Sequence, residues 1–170
     1  MKLSIIPISL VMMILVVTSI ALAESPSSNT VVSFDQPENF LDFRSRTVLT
    51  KIDRDRLMAE LDKQIQRTVK RILPDGQAMH INFTNIDMAG YIYPNANETR
   101  TVRQDADKSL LVFDYTIFDA DGKSIKTGKE RLINQHFKLM SHESKRYERS
   151  SFKYEMVMFS RWLKKITKTL

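Results

Sequence analysis

Apolar residues recur along this chain at two different intervals, and the interval switches with position. Leu57, Leu61, Ile65 and Ile72, with Met58 beside them, repeat at the spacing of one helical face, while Arg56, Lys63, Arg67 and Lys70 mostly point elsewhere. The pattern predicts a helix over about residues 53–73, capped by Thr50 or Asp53, whose oxygens accept free first-turn amides, and stopped by Pro74-Asp75-Gly76. Near the C-terminus Phe152, Met156, Phe159, Leu163, Ile166 and Leu170 fall on one narrow arc with Trp162 at its border. Lys153, Arg161, Lys164 and Lys168 lie on the other side, so a second amphipathic helix is expected.

Between these stripes the interval drops to two. Met79, Ile81 and Phe83 alternate with polar residues, and Ile86 is expected on the same side. Asp87-Met88-Ala89-Gly90 then departs from the pattern. Ser109 to Phe118 reads as a long central strand and Ser124 to Ile133 as its partner, joined by the turn Asp119-Ala120-Asp121-Gly122, where glycine supplies positive φ. Val31 to Phe34 is a short β-branched run ending at Asp35-Gln36-Pro37, and Phe40, Leu41 and Phe43 are expected to fold back onto the core. Residues 134–151 are polar and irregular. The expected fold is therefore α+β: a mainly antiparallel sheet with a central hairpin, and two amphipathic helices packed on one face.

The first 23 residues follow neither interval. Lys2 precedes an apolar run from Ile5 to Ile20, and Ala21-Leu22-Ala23 places small residues at a cleavage position before Glu24. That layout is a secretory signal peptide, removed after Ala23. The alternative is a retained anchor, since Leu3 to Ala23 is long enough to cross a bilayer. The small-residue cleavage site and the polar Ser25-Pro26-Ser27-Ser28-Asn29 favour removal. Residues 24–30 then form a flexible tether, and 31–170 one domain able to bury a core.

Composition narrows the chemistry. With no cysteine, the chain has no disulfide staples, thiolate metal ligands, cysteine nucleophile or lipid-anchored cysteine. Its four glycines are scattered, which argues against a phosphate-cradling loop. The formal net charge is +6 and unevenly placed: Glu24 to Gly122 holds more carboxylates than cations, and Lys123 to Leu170 is strongly basic. Such asymmetry marks either a surface for anionic partners or two complementary parts of one fold.

Candidate catalytic patterns are incomplete. His142-Glu143 begins like a zinc-protease helix, but the second histidine position is occupied by Arg146. His136 and His142 lack a third ligand placed by spacing. Asp119-x-Asp121-Gly122 resembles the start of a calcium loop, yet Ile117 stands where another oxygen ligand is needed, so turn chemistry is the better reading. There is no Gly-x-Ser-x-Gly elbow. Asp87, at a strand end, is the best candidate for carboxylate chemistry. No metal or other cofactor is expected.

Four segments carry a resemblance. Phe34 to Phe40 completed by Asp42 resembles an opening "V-x-F-x-x-P-x-x-F-x-D" segment. Ile81 to Gly90 is similar to a central "T-D-V-D-L-A-G" segment, with Asn85 in place of its first Asp. Tyr115 to Gly128 with Glu130-Arg131-Leu132 resembles a hairpin "Y-x-L-x-D-x-x-G…G-x-E-x-L", and Tyr154-Glu155-Met156 with Trp162-Leu163 a closing "Y-E-K-x-x-L-x-x-W-F". They resemble a family of small exported Gram-negative proteins catalogued as a domain of unknown function. The resemblance implies a periplasmic location and a single α+β domain, and it supplies no activity.

The expected function is a non-catalytic periplasmic binding or accessory protein. Its expected contact surface combines Asp87, Tyr91 and Tyr93 with the loop bearing Arg146 and Tyr147, since aromatic residues and arginine are common anchor types. One alternative is a periplasmic hydrolase using Asp87, Glu143 or His142. Another is peripheral, weak contact of the basic C-terminal helix with an anionic membrane surface. The expected partner is a periplasmic protein or envelope component rather than nucleic acid, with the chain a monomer or weak homo-oligomer.

Overall fold

Thr50 starts the longest helix: its Oγ1 accepts the Asp53 amide at 3.1 Å, and its hydroxyl donates to Asp53 Oδ2 at 2.7 Å. The helix that follows, α1 (Lys51–Ile72), ends with the Leu73 amide on Val69 O. It belongs to a computed structural model that describes residues 30–44, 50–92, 100–103, 106–134 and 144–170. Residues 1–29, which include the expected signal peptide and most of the expected tether, and Tyr93, His136, His142 and Glu143 lie outside the described residues.

The strands are β1 (Val31–Phe34), β2 (Ala78–Asp87), β3 (Tyr91–Ile92), β4 (Arg100–Thr101), β5 (Ser109–Phe118) and β6 (Ser124–Asn134), and the chain closes with α2 (Lys153–Thr167). The main sheet has the order β1-β2-β5-β6. β1 runs parallel to β2, as it can because α1 carries the chain back between them. The β2–β5 and β5–β6 pairings are antiparallel. β3 and β4 form a separate two-stranded ladder.

The turn between β5 and β6 closes as its composition predicts. Asp119 Oδ1 accepts the Asp121 and Lys123 amides at 3.0 and 2.8 Å, and Gly122 sits at φ 79°. In β2 a bulge between Phe83 and Asn85 shifts the register. It lets Met79, Ile81, Phe83 and Ile86 all reach the covered face although the last is three residues from Phe83.

Both helices press their stripes onto that face. Leu57, Leu61, Ile65 and Val69 of α1 and Met156, Phe159, Leu163 and Ile166 of α2 join Leu111, Phe113, Tyr115 and Ile117 of β5 in one core. Phe113 is its centre: its ring lies 4.9 Å from Trp162, 5.4 Å from Phe83 and 6.0 Å from Phe159. The α+β reading holds, with two differences at its margins. Leu170, placed on the buried arc by spacing, is 45% exposed because α2 has ended at Thr167. Leu41 is 60% exposed while its neighbours Phe40 and Phe43 are buried edge to face, because the chain there turns through a positive φ at Asp42 and only two of the three rings and side chains can point inward.

Candidate functional site

Two places gather chemistry, and they divide the expected site residues between them. Asp87 ends β2, and Tyr91 lies in β3 with 48% of its surface exposed. Arg146 and Tyr147 lie on a single 3-10 turn, Lys145–Tyr147, seated against the helices. Tyr93, and the hydrolase candidates His142 and Glu143, lie outside the described residues.

The first place is built around Arg100 at the start of β4. Its Nη1 donates to Ala89 O at 3.2 Å and its Nη2 donates to Arg44 O, with Met88 Sδ 3.5 Å away. The Ala89 amide in turn donates to Glu155 Oε1 at 3.2 Å. The amide and the carbonyl of Ala89, which belong to successive peptide units, are thus held by Glu155 and by Arg100. Gly90, next along, has φ 94°, and a Cβ there would fall 2.5 Å from Thr101 O and 2.8 Å from Val102 Cγ2. The backbone can run this close to β4 only without a side chain. Three segments singled out in the sequence meet here: the loop with Asp42, the segment Asp87 to Gly90, and Tyr154-Glu155.

Burial sets the electrostatics of this cluster. It pushes the Glu155 carboxyl above its ordinary value, against the opposing hydrogen bonds to its oxygens and the charge of Arg100. Burial also raises Asp87, the Asp42 charge raises it further, and Arg100 opposes both. Arg100 itself is lowered by burial, against the pull of Glu155, Asp42 and Asp87. Glu155 therefore holds its proton more tightly folded than unfolded, so its contribution to stability is full below the ordinary carboxylate range and is lost as pH rises through the folded value. The stability of the wild type minus that of Glu155→Gln is expected to fall as pH rises through and beyond the ordinary carboxylate range in urea titrations. A difference that stays flat across that range contradicts the assignment. The cluster acts as a clasp: the guanidinium is occupied by backbone carbonyls and Glu155 by a backbone amide. A pocket of about 470 Å³ adjoins it, lined by Arg100, Glu155, Tyr154, Lys153 and Arg149 among others.

The second place is a furrow around Tyr147. Glu60 of α1 ties down the chain just after the turn, accepting the Ser151 amide at 2.8 Å, Ser151 Oγ at 2.9 Å and Ser150 Oγ at 3.1 Å. Arg71 Nη2 donates to the Tyr147 hydroxyl at 3.0 Å, and Thr68 Oγ1 lies 3.3 Å from it. Burial raises the phenol, but hydrogen bonds with Thr68, Arg71 and Ser160 outweigh it and bring the hydroxyl below its usual range. Tyr147 stands between two compartments. One, of about 520 Å³, is lined by Arg71, Ile72, Lys145, Arg146, Val157, Ser160 and Lys164. The other, of about 320 Å³, shares Arg71 and Arg146 and adds Arg67 and Arg149. Among the described residues, no carboxylate lines either compartment. Asp87 and Tyr91 are likewise not among the described residues lining this furrow.

Sequence reasoning did not single out Arg100, Arg71 or Lys164 as site residues. Among the described residues no three histidine, aspartate or glutamate side chains are grouped to hold a metal ion, and no helix is long and apolar enough to cross a membrane. No curated protein matches the chain. A family described as "protein of unknown function (DUF3016)" matches residues 28–165.

Proposed function

Because the chain belongs to this family of proteins of unknown function, whose description supplies no activity, we propose from the geometry that it is a non-catalytic, exported binding or accessory module of the periplasm. The observation that carries the reading is the convergence of Arg67, Arg71, Lys145, Arg146, Arg149 and Lys164 around Tyr147, with no carboxylate lining among the described residues. Cations so placed repel one another and destabilise the fold unless something negative joins them. An aromatic ring framed by arginines is also the kind of anchor that dominates binding surfaces.

The membrane alternative keeps less support. Phe159, Trp162 and Leu163 of α2 are turned into the core, so the helix has no free apolar stripe to insert and only its exposed lysines to offer. The hydrolase alternative rests on the raised carboxyl of Asp87.

Crosslinking in the exporting cell, with the mature protein as bait, tests the binding reading. Arg146→Ala combined with Tyr147→Ala is expected to remove the captured partner. Retention of every partner by that double variant contradicts it. Asp87→Ala and Tyr91→Ala in the same assay report whether the surface extends to the β3 side. Specific turnover of a substrate panel that disappears in Asp87→Ala or His142→Ala would replace the binding reading with the hydrolytic one.

A further inference from the structure

We infer that the furrow around Tyr147 is a phosphate site, one that recognises a ligand carrying one or two phosphate groups between Arg71, Arg146, Lys145 and Lys164. This deepens the proposed binding role and rests on it.

The cations reach the furrow from separate elements. Arg67 and Arg71 come from the last turns of α1, Lys145 and Arg146 from the 3-10 turn, Arg149 from the segment after it, and Lys164 from α2. Nothing in the packing of the core requires these four pieces of chain to turn positive charge onto one spot. The floor is fixed. Thr68 and Ser160, 1% and 8% exposed, bond the Tyr147 hydroxyl from below, and Arg71 bonds it from the rim. The tyrosine ring is thereby held as a post between the two compartments, and Arg71 and Arg146 border both.

The class of ligand follows from charge per unit volume. Four cations border a compartment of about 520 Å³. A carboxylate brings one negative charge to that space, whereas a phosphate monoester brings about −1.5 to −2 at pH 7 together with three acceptor oxygens. Guanidinium forks match phosphate oxygens two at a time, and lysines add point charge without a fixed direction. Ile72 and Val157 supply an apolar wall for whatever the phosphate is attached to. Two compartments flanking one post suit a second phosphate a short distance from the first.

The mature protein is titrated with inorganic pyrophosphate by calorimetry, and separately with vesicles of phosphatidylcholine containing phosphatidic acid. Pyrophosphate binding that weakens at least tenfold in Arg146→Gln and in Lys164→Gln supports the site and assigns it to a free phosphate compound. Binding to the phosphatidic acid vesicles alone, lost in the same two variants, supports it and assigns a lipid headgroup. Both side chains are exposed, so neither change threatens the fold. Lys51→Gln is the charge control, since Lys51 opens α1 about 30 Å from Arg71 along the helix axis. Equal weakening by Lys51→Gln shows attraction to net charge and overturns the site, as does binding to neither probe. If the phosphate probes fail while Arg146→Ala with Tyr147→Ala still removes the crosslinked partner, the contact surface stands and the ligand class falls.

Discussion

Arg100→Ala is expected to cost the fold about 2–4 kcal/mol, because it removes a buried donor set and the positive charge that opposes the rise of the Glu155 carboxyl. It also strips two backbone carbonyls, those of Ala89 and Arg44, of their donor. The protein carries a single tryptophan, and Trp162 packs against Phe113 at 4.9 Å, so its emission in a urea titration reads the core directly. At this chain length the loss corresponds to a fall in Tm on the order of 10 °C. Pairing Arg100→Met with Glu155→Leu is expected to recover part of it, since the buried carboxyl is removed together with the charge that faces it and apolar side chains of similar volume take their place. A cost under about 1 kcal/mol for the single alanine variant means that the clasp carries no stability.

Phe113→Ala is the second large effect, again about 3–5 kcal/mol. The ring is fully buried and touches Phe83 from β2, Tyr115 from its own strand, and Phe159 and Trp162 from α2. These ring neighbours all belong to strands or to α2, so both the transfer and the cavity contributions are expected in full. The midpoint of urea unfolding should move while the slope stays constant, which separates a stability change from a change in the unfolded chain. A loss below about 1.5 kcal/mol would show that α2 slides to fill the space and that the helix is docked loosely.

What the chain disclosed in advance depended on whether a feature was periodic. α1, β2, β5 and α2 each hold enough alternating or stepped apolar residues to be read directly, and β6 was legible as the strand that returns from the Asp119–Gly122 turn. β3 and β4 are two residues each, too short for any period. The parallel seat of β1 depends on which strand accepts it after a 22-residue helix, and no local pattern encodes that. The sites split the same way. Arg146 and Tyr147 were visible as residue types, but Arg71 and Lys164 looked like ordinary solvent-facing positions on amphipathic helices until the turn was laid across them. Arg100 carried no local signal at all. Glu155 did: it lies on the same arc as Phe152, Phe159 and Trp162, and a carboxylate on an apolar arc must find a partner inside.

The placement of β1 bears on how the molecule assembles and comes apart. β5 and β6 meet across a turn of a few residues, so their closure involves a short loop, whereas β1 waits for β2 to arrive from the far end of a long helix. It is four residues long and, among the described residues, has one neighbouring strand. The hairpin is therefore expected to close first and β1 to be the sheet's final stitch, with β1 amides exchanging fastest in the sheet while the rest of the domain is still intact.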